Sequence, residues 1–209
     1  IPSFLNHQTQ STIMKAPLLL LAALLSPLAL SAAVETGEPA PGFTLTDTEG
    51  NEHSLSDFEG QYVVLEWLNH QCPFVVRHYD SGNMPALQEK YTDQGVVWLS
   101  IVSSAPGKQG YFPPEEANQL TEEKGADPTA VLIDSSGTVG KAYGARTTPH
   151  MYVIDPEGVL VYQGAIDDQP RGRNPSEATN YVVEALEASM NGEEVEVAST
   201  RPYGCSVKY

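Results

Sequence analysis

Cysteine is scarce in this chain of 209 residues: Cys72 and Cys205 are the only two. A single pair is too few for a disulfide scaffold or for a closed four-cysteine zinc site. Cations are scarce too, 11 Lys and Arg against 27 Asp and Glu, and the formal charge is −16. Such a balance makes nucleic acid and anionic membrane surfaces poor partners. No Gly-rich phosphate loop, no Ser-His-Asp constellation in useful context and no carboxylate pair suited to general acid and base work stands in the sequence. Asp167-Asp168 reads as an exposed turn.

Long apolar runs are limited to one, near the amino end. Lys15 supplies a charged start, residues 18–25 an apolar stretch, Pro27 a break, and Ser31-Ala32-Ala33 small residues at a cleavage position. This is the pattern of a secretory signal, and the run is shorter than the roughly 20 residues of a spanning helix. The expected division is therefore a segment 1–13 that is upstream or non-native, a signal peptide at 14–33, and one domain with a carboxy-terminal tail at 34–209. Export to the periplasm or another extracytoplasmic compartment follows, with no stable membrane insertion after cleavage. The mature chain loses one cation and no acid, and has length enough for a single core.

From Phe43 the chain alternates strand-like and helix-like segments, the pattern of a mixed sheet covered by helices, class α/β. Residues 43–46 and the segment around 53–55 form a hairpin across the turn 47–51. Strands are expected at 62–68, 96–102, 131–134, 150–154 and 159–163, the last two paired across Asp155-Pro156-Glu157-Gly158. Helices are expected at 73–92, kinked or split at Met84-Pro85, at 113–124, over a turn or two at 138–143, and at 176–190. The tail 195–209 has no strong periodicity.

Cys72 sits where a buried strand passes to a helix, and Pro73 suits that helix's first turn because its missing N–H is not needed there. Unpaired N–H groups and the helix dipole favour thiolate over thiol at this position. The bland alternative is an inert, buried cysteine. His70 precedes it; Arg77 and His78 follow by about one turn and are expected as solvent-facing positions whose charge helps to hold a thiolate. Cys205 has three readings: resolving partner of Cys72, half of a static disulfide with it, or an unrelated tail thiol. Soft thiolate and imidazole also suit Cu(I), so Cys72, His70 and His150 form an alternative copper set.

The order of elements resembles the thioredoxin fold, with an amino-terminal hairpin extension. "FTLTDTEGNEHSLSDFEGQYVVLEWL" and "TTPHMYVIDPEGVLVYQGAIDD" resemble the two halves of the alkyl hydroperoxide reductase and thiol-specific antioxidant family, over residues 41–190 or so. The resemblance implies that Thr148-Pro149 is a cis-proline loop facing Cys72 and offering backbone hydrogen bonds to a substrate. It also places Cys72 at the first thioredoxin cysteine, with Val75 where the second would stand. A peroxidatic cysteine would bring Thr or Ser three residues before it and Pro seven before it; from Cys72 those positions hold Asn69 and Leu65, from Val75 they hold Cys72 and Leu68. The match is thus to a peroxiredoxin-like subgroup keeping only the first cysteine, whose cysteine-containing tail "YGCSVKY" resembles.

What this implies is an exported thiol-disulfide oxidoreductase or antioxidant redoxin acting through Cys72, with Cys205 the candidate resolving thiol, Thr148 and Pro149 at the substrate, no organic cofactor, and a thiol or disulfide protein, or a peroxide, as partner. The alternatives are a thiol peroxidase and a non-catalytic copper-binding or metal-delivery protein on the same fold.

Overall fold

The computed structural model describes residues 1–3, 34–172 and 174–209. The expected signal peptide and nearly all of the segment before it lie outside the described residues. Residues 34–172 and 174–209 belong to one compact unit.

The hairpin is β1 (Thr44–Asp47) and β2 (Glu52–Ser54). Asp47 ties its turn, accepting hydrogen bonds from the N–H of Glu49 and of Asn51, both at 2.8 Å, and lying 2.8 Å from His53 Nε2. Next comes β3 (Val63–Trp67), buried at every position. The helical stretch that follows is two helices, α1 (Pro73–Asp80) and α2 (Asn83–Thr92). The break falls at Ser81-Gly82 and not at Pro85. Gly82 takes φ +75°, a conformation natural to glycine, whereas Pro85 sits in the first turn of α2, where no helical donor is lost.

The remaining elements are β4 (Val97–Val102), α3 (Pro114–Glu123), β5 (Ala130–Ile133), α4 (Thr138–Tyr143), β6 (Thr147–Thr148), β7 (His150–Ile154), β8 (Leu160–Gly164), α5 (Tyr181–Met190) and β9 (Cys205–Ser206). The final helix begins at Tyr181, later than its apolar spacing suggests, because Asn180 caps it: its Oδ1 accepts from the N–H of Val182 and of Val183, each at 3.1 Å.

Seven strands form one sheet in the order β2-β1-β5-β4-β3-β7-β8. The β3–β4 and β4–β5 pairs are parallel, with α1, α2 and α3 in the crossovers, and the other pairs are antiparallel. The hairpin is therefore not an appendage; β1 joins the main sheet through β5. Alternation along β3 sends Val63, Leu65 and Trp67 to one face and Val64 and Leu68 to the other. The second face packs under α1, α2 and α5 with Tyr79, Met84, Tyr91, Val182 and Leu186, while the first packs with Tyr143, Tyr152 and Leu160. Each fully buried large apolar side chain adds roughly 1.5–3 kcal/mol to such a core. Among the described residues no helix is long and apolar enough to cross a membrane.

Candidate functional site

The site lies at the end of β3, where the chain turns into α1. The turn is built before the helix starts. Asn69 Oδ1 accepts from Gln71 N–H at 2.8 Å, Asn69 O accepts from Cys72 N–H at 2.9 Å, and Gln71 Oε1 accepts from Gly110 N–H at 3.1 Å. Cys72 is the N-cap of α1 and Pro73 its first residue, as the sequence predicts. The Cys72 side chain is fully buried, and its thiol donates to the carbonyl of Thr148 at 3.0 Å.

Thr148-Pro149 is a cis peptide bond, and the loop it forms faces Cys72. Across from the same loop lies the tail. β9 pairs antiparallel with β6, Thr147 opposite Ser206 and Thr148 opposite Cys205, and Val207 N–H continues the pairing to Arg146 O at 3.0 Å. Within the segment that lacked periodicity, Cys205 and Ser206 thus form a strand, held by backbone pairing that leaves no hydrophobic pattern in so short a stretch. Cys205 is half-buried and packs in the same apolar cluster as Cys72. The two cysteines and the proline loop meet; both are free thiols.

The electrostatics separate the two thiols. Burial alone would raise the Cys72 pKa, but the Cys205 thiol, the N–H of Val75, the Thr148 hydroxyl and the Cys205 N–H favour its thiolate, and the net direction is down. The Thr148 hydroxyl is buried and without a partner, so a thiolate at Cys72 gives it an acceptor. Cys205 moves the other way, pushed up to about 11 by burial and by its hydrogen bond to Cys72. One thiol is poised to ionise while its neighbour stays protonated.

The histidines do not supply the positive charge expected of them. Burial lowers His70 to about 4, with Lys124 adding to the effect, lowers His78 to about 4 against the pull of Asp167, and lowers His150 to about 3. All three are neutral at pH 7, which leaves the helix terminus and the local donors to hold a thiolate. His78 is not solvent-facing but completely buried, and Asp167 is 2% exposed where an open turn was expected. Both belong to a polar cluster with Arg77 and Tyr203 that the sequence reading missed; the signal available was Tyr203 two positions before Cys205. His150 Nδ1 is engaged by the N–H of Arg146 at 3.4 Å and lies 3.1 Å from Tyr152 Oη. No group of three His, Cys, Asp or Glu that could hold a metal occurs among the described residues, so Cys72, His70 and His150 are not gathered as a ligand set.

A second residue passed unnoticed in the sequence is Glu66, in the middle of β3 and fully buried. Its carboxylate accepts from Tyr79 Oη at 2.9 Å, Trp98 Nε1 at 3.0 Å, and Ser100 Oγ and Gln88 Nε2 at 3.2 Å each. Burial raises its pKa, against these four donors. An acid inside an otherwise apolar strand was the signal.

A family model described as "AhpC/TSA family" matches residues 36–163. Similar to the chain is a protein named thiol-disulfide oxidoreductase ResA from Geobacillus thermodenitrificans, 32% identical over 130 residues, or 60% of this chain and 67% of that one. A protein named thioredoxin peroxidase from Echinococcus granulosus is 30% identical over 162 residues, 70% of this chain and 78% of its own. Among solved structures, an uncharacterized conserved protein from Geobacillus kaustophilus superposes with a TM-score of 0.74 at 30% identity, covering 84% of this chain and 92% of the other.

Proposed function

The chain belongs to the AhpC/TSA family, and we propose that within it the protein is an exported thiol-disulfide oxidoreductase in which Cys72 attacks and Cys205 resolves. The observation that carries this reading is the pairing of Cys205 opposite Thr148, which sets the tail thiol beside the capping thiol of α1. In the first step the Cys72 thiolate attacks one sulfur of a partner disulfide; a Cys72–partner bond forms, the partner S–S bond breaks, and one thiolate leaves. In the second, Cys205 passes its proton to the departing thiolate and attacks the Cys72 sulfur. The Cys72–Cys205 bond forms and the second partner thiol is released, so two protein thiols are oxidised and one disulfide is reduced. The same steps run backwards when the partner is a dithiol.

Thr148 and Pro149 serve as the backbone against which the attacking sulfur and its target are aligned. Export is supported by the leader-like pattern at 14–33 and by a cysteine pair that an oxidising compartment can keep as a disulfide. The relative named thioredoxin peroxidase favours peroxide as a second substrate, though Asn69 and Leu65 replace the groups that would shape a peroxide pocket. The test treats the reduced full chain with glutathione disulfide, traps free thiols and maps the products by mass spectrometry. A Cys72–Cys205 disulfide, abolished by Cys72→Ser, is the expected product. Cys72 left free under excess glutathione disulfide would end this reading.

A further inference from the structure

Tyr203 lies two residues before Cys205, and its hydroxyl is built into the body of the domain. It donates to Asp167 Oδ1 at 2.5 Å, accepts from Arg77 Nη2 at 2.9 Å and lies 3.0 Å from His78 Nε2. Around it the network continues. Arg77 Nη1 donates to the carbonyls of Gln169 and Gly172 at 2.7 and 2.8 Å, Arg77 Nη2 reaches Asp167 Oδ2 at 3.4 Å, and Asn83 Nδ2 lies 3.0 Å from His78 Nδ1. The Tyr203 ring packs on Phe74 and stacks on His78. Arg77 and His78 belong to α1, the helix that Cys72 caps. One rigid element therefore carries the attacking sulfur at its N-cap and the anchor of the tail in its second turn.

Between anchor and thiol stands Gly204, with φ +133° and its α-carbon pressed against the Thr148 carbonyl, where a Cβ would overlap that oxygen. The tail can lie in this register only with glycine there. Together these contacts fix Cys205 in distance and direction from Cys72.

We infer that Tyr203 is a positioning residue for the second, resolving exchange: its hydrogen-bonded anchorage to Arg77, His78 and Asp167 holds Cys205 against the Cys72 sulfur. The inference rests on the two-cysteine reading above and adds what makes its second step fast. A thiol on a loose tail acts at an effective concentration on the order of millimolar, whereas an oriented one can act at far higher values. Loosening the anchor slows resolution far more than the first attack, which loses only the share of thiolate stabilisation that Cys205 supplies and gains access to a buried sulfur.

The test is rapid mixing of the reduced full chain with glutathione disulfide, acid quenching, and mass spectrometry to follow the Cys72–glutathione adduct and the Cys72–Cys205 disulfide as separate species. In the parent chain the adduct stays at trace level. In Tyr203→Phe, which keeps the ring and removes the hydroxyl, the adduct accumulates and resolves at least tenfold more slowly, while its rate of formation falls by no more than the share of thiolate stabilisation that Cys205 supplies, about fivefold. Gly204→Ala, which displaces the strand by another route, gives the same pattern. A general loss of structure would slow both steps and lower the melting temperature, so the split between steps separates positioning from mere folding. Resolution at the parent rate in both variants overturns the inference. A parent chain that forms neither adduct nor disulfide overturns the two-cysteine reading, and the inference with it.

Discussion

Removing the Cys205 thiol tests the division of labour between the two cysteines. Burial raises the Cys72 pKa and the donors around it, Cys205 first, bring it below the ordinary thiol value. A neutral donor to an ionised acceptor contributes roughly 1.5–3 kcal/mol, and a thiol is a weak donor, so about 1 kcal/mol is reasonable for this contact. In Cys205→Ala that contribution is lost while the backbone N–H of residue 205 stays. The thiol–thiolate equilibrium of Cys72 should then shift toward thiol about fivefold. The assay is the rate of Cys72 alkylation by iodoacetamide as a function of pH. Two quantities come from it: the plateau at high pH, which reports access to a sulfur that is fully buried in the parent chain, and the pH of half-maximal rate, which reports the equilibrium. The half-maximal pH should move up whatever happens to the plateau. If it stays in place or moves down, Cys205 does not stabilise the thiolate, and the electrostatic account of the site fails.

Four further outcomes follow from the fold. Glu66→Ala leaves the donors of Trp98, Tyr79 and Ser100 without their acceptor, Gln88 keeping only the Tyr79 hydroxyl, and should destabilise the domain by about 3 kcal/mol in urea unfolding, against about 1 kcal/mol or less for Glu66→Gln. Because burial raises the folded-state pKa of Glu66, its contribution to stability is fully present below its unfolded-state pKa and is lost as pH rises through the folded-state value; Glu66→Gln should flatten that decline, which unfolding curves from pH 4 upward will show. Asn180→Ala removes the cap of α5 and should cost ~1 kcal/mol, read as a lower urea midpoint with an unchanged slope. Gly140→Ala places a methyl group where the Tyr209 ring lies and should release the last residues of the chain, seen as faster carboxypeptidase trimming than in the parent.

Much of the architecture could be read from the residues because it rests on local signals. The apolar run before Cys72, the proline behind it and the Thr-Pro before a strand each carry their own geometry, and all three stand where they were expected. Gly82 outweighed Pro85 in breaking the helix because a proline in a first turn displaces nothing, which a reading of proline as a breaker overlooks. Exposure was read less well. His78 and Asp167 looked like surface residues by type, but partners far apart in the chain bury and pair them: Arg77, and Tyr203 from the returning tail. Glu66 shows the same limit from the other side: its four donors come from β4, α1 and α2, so no window of sequence contains its reason for being there.

The position of β9 has a consequence for biosynthesis. Domains fold from the amino end as the chain is made, and here Cys72 and the proline loop precede their partner by more than fifty residues. Until β9 has been made and has paired with β6, the newly folded core carries Cys72 and the proline loop with no second thiol to close over them. The finished protein guards its own sulfur; the nascent one depends on whatever escorts it through synthesis.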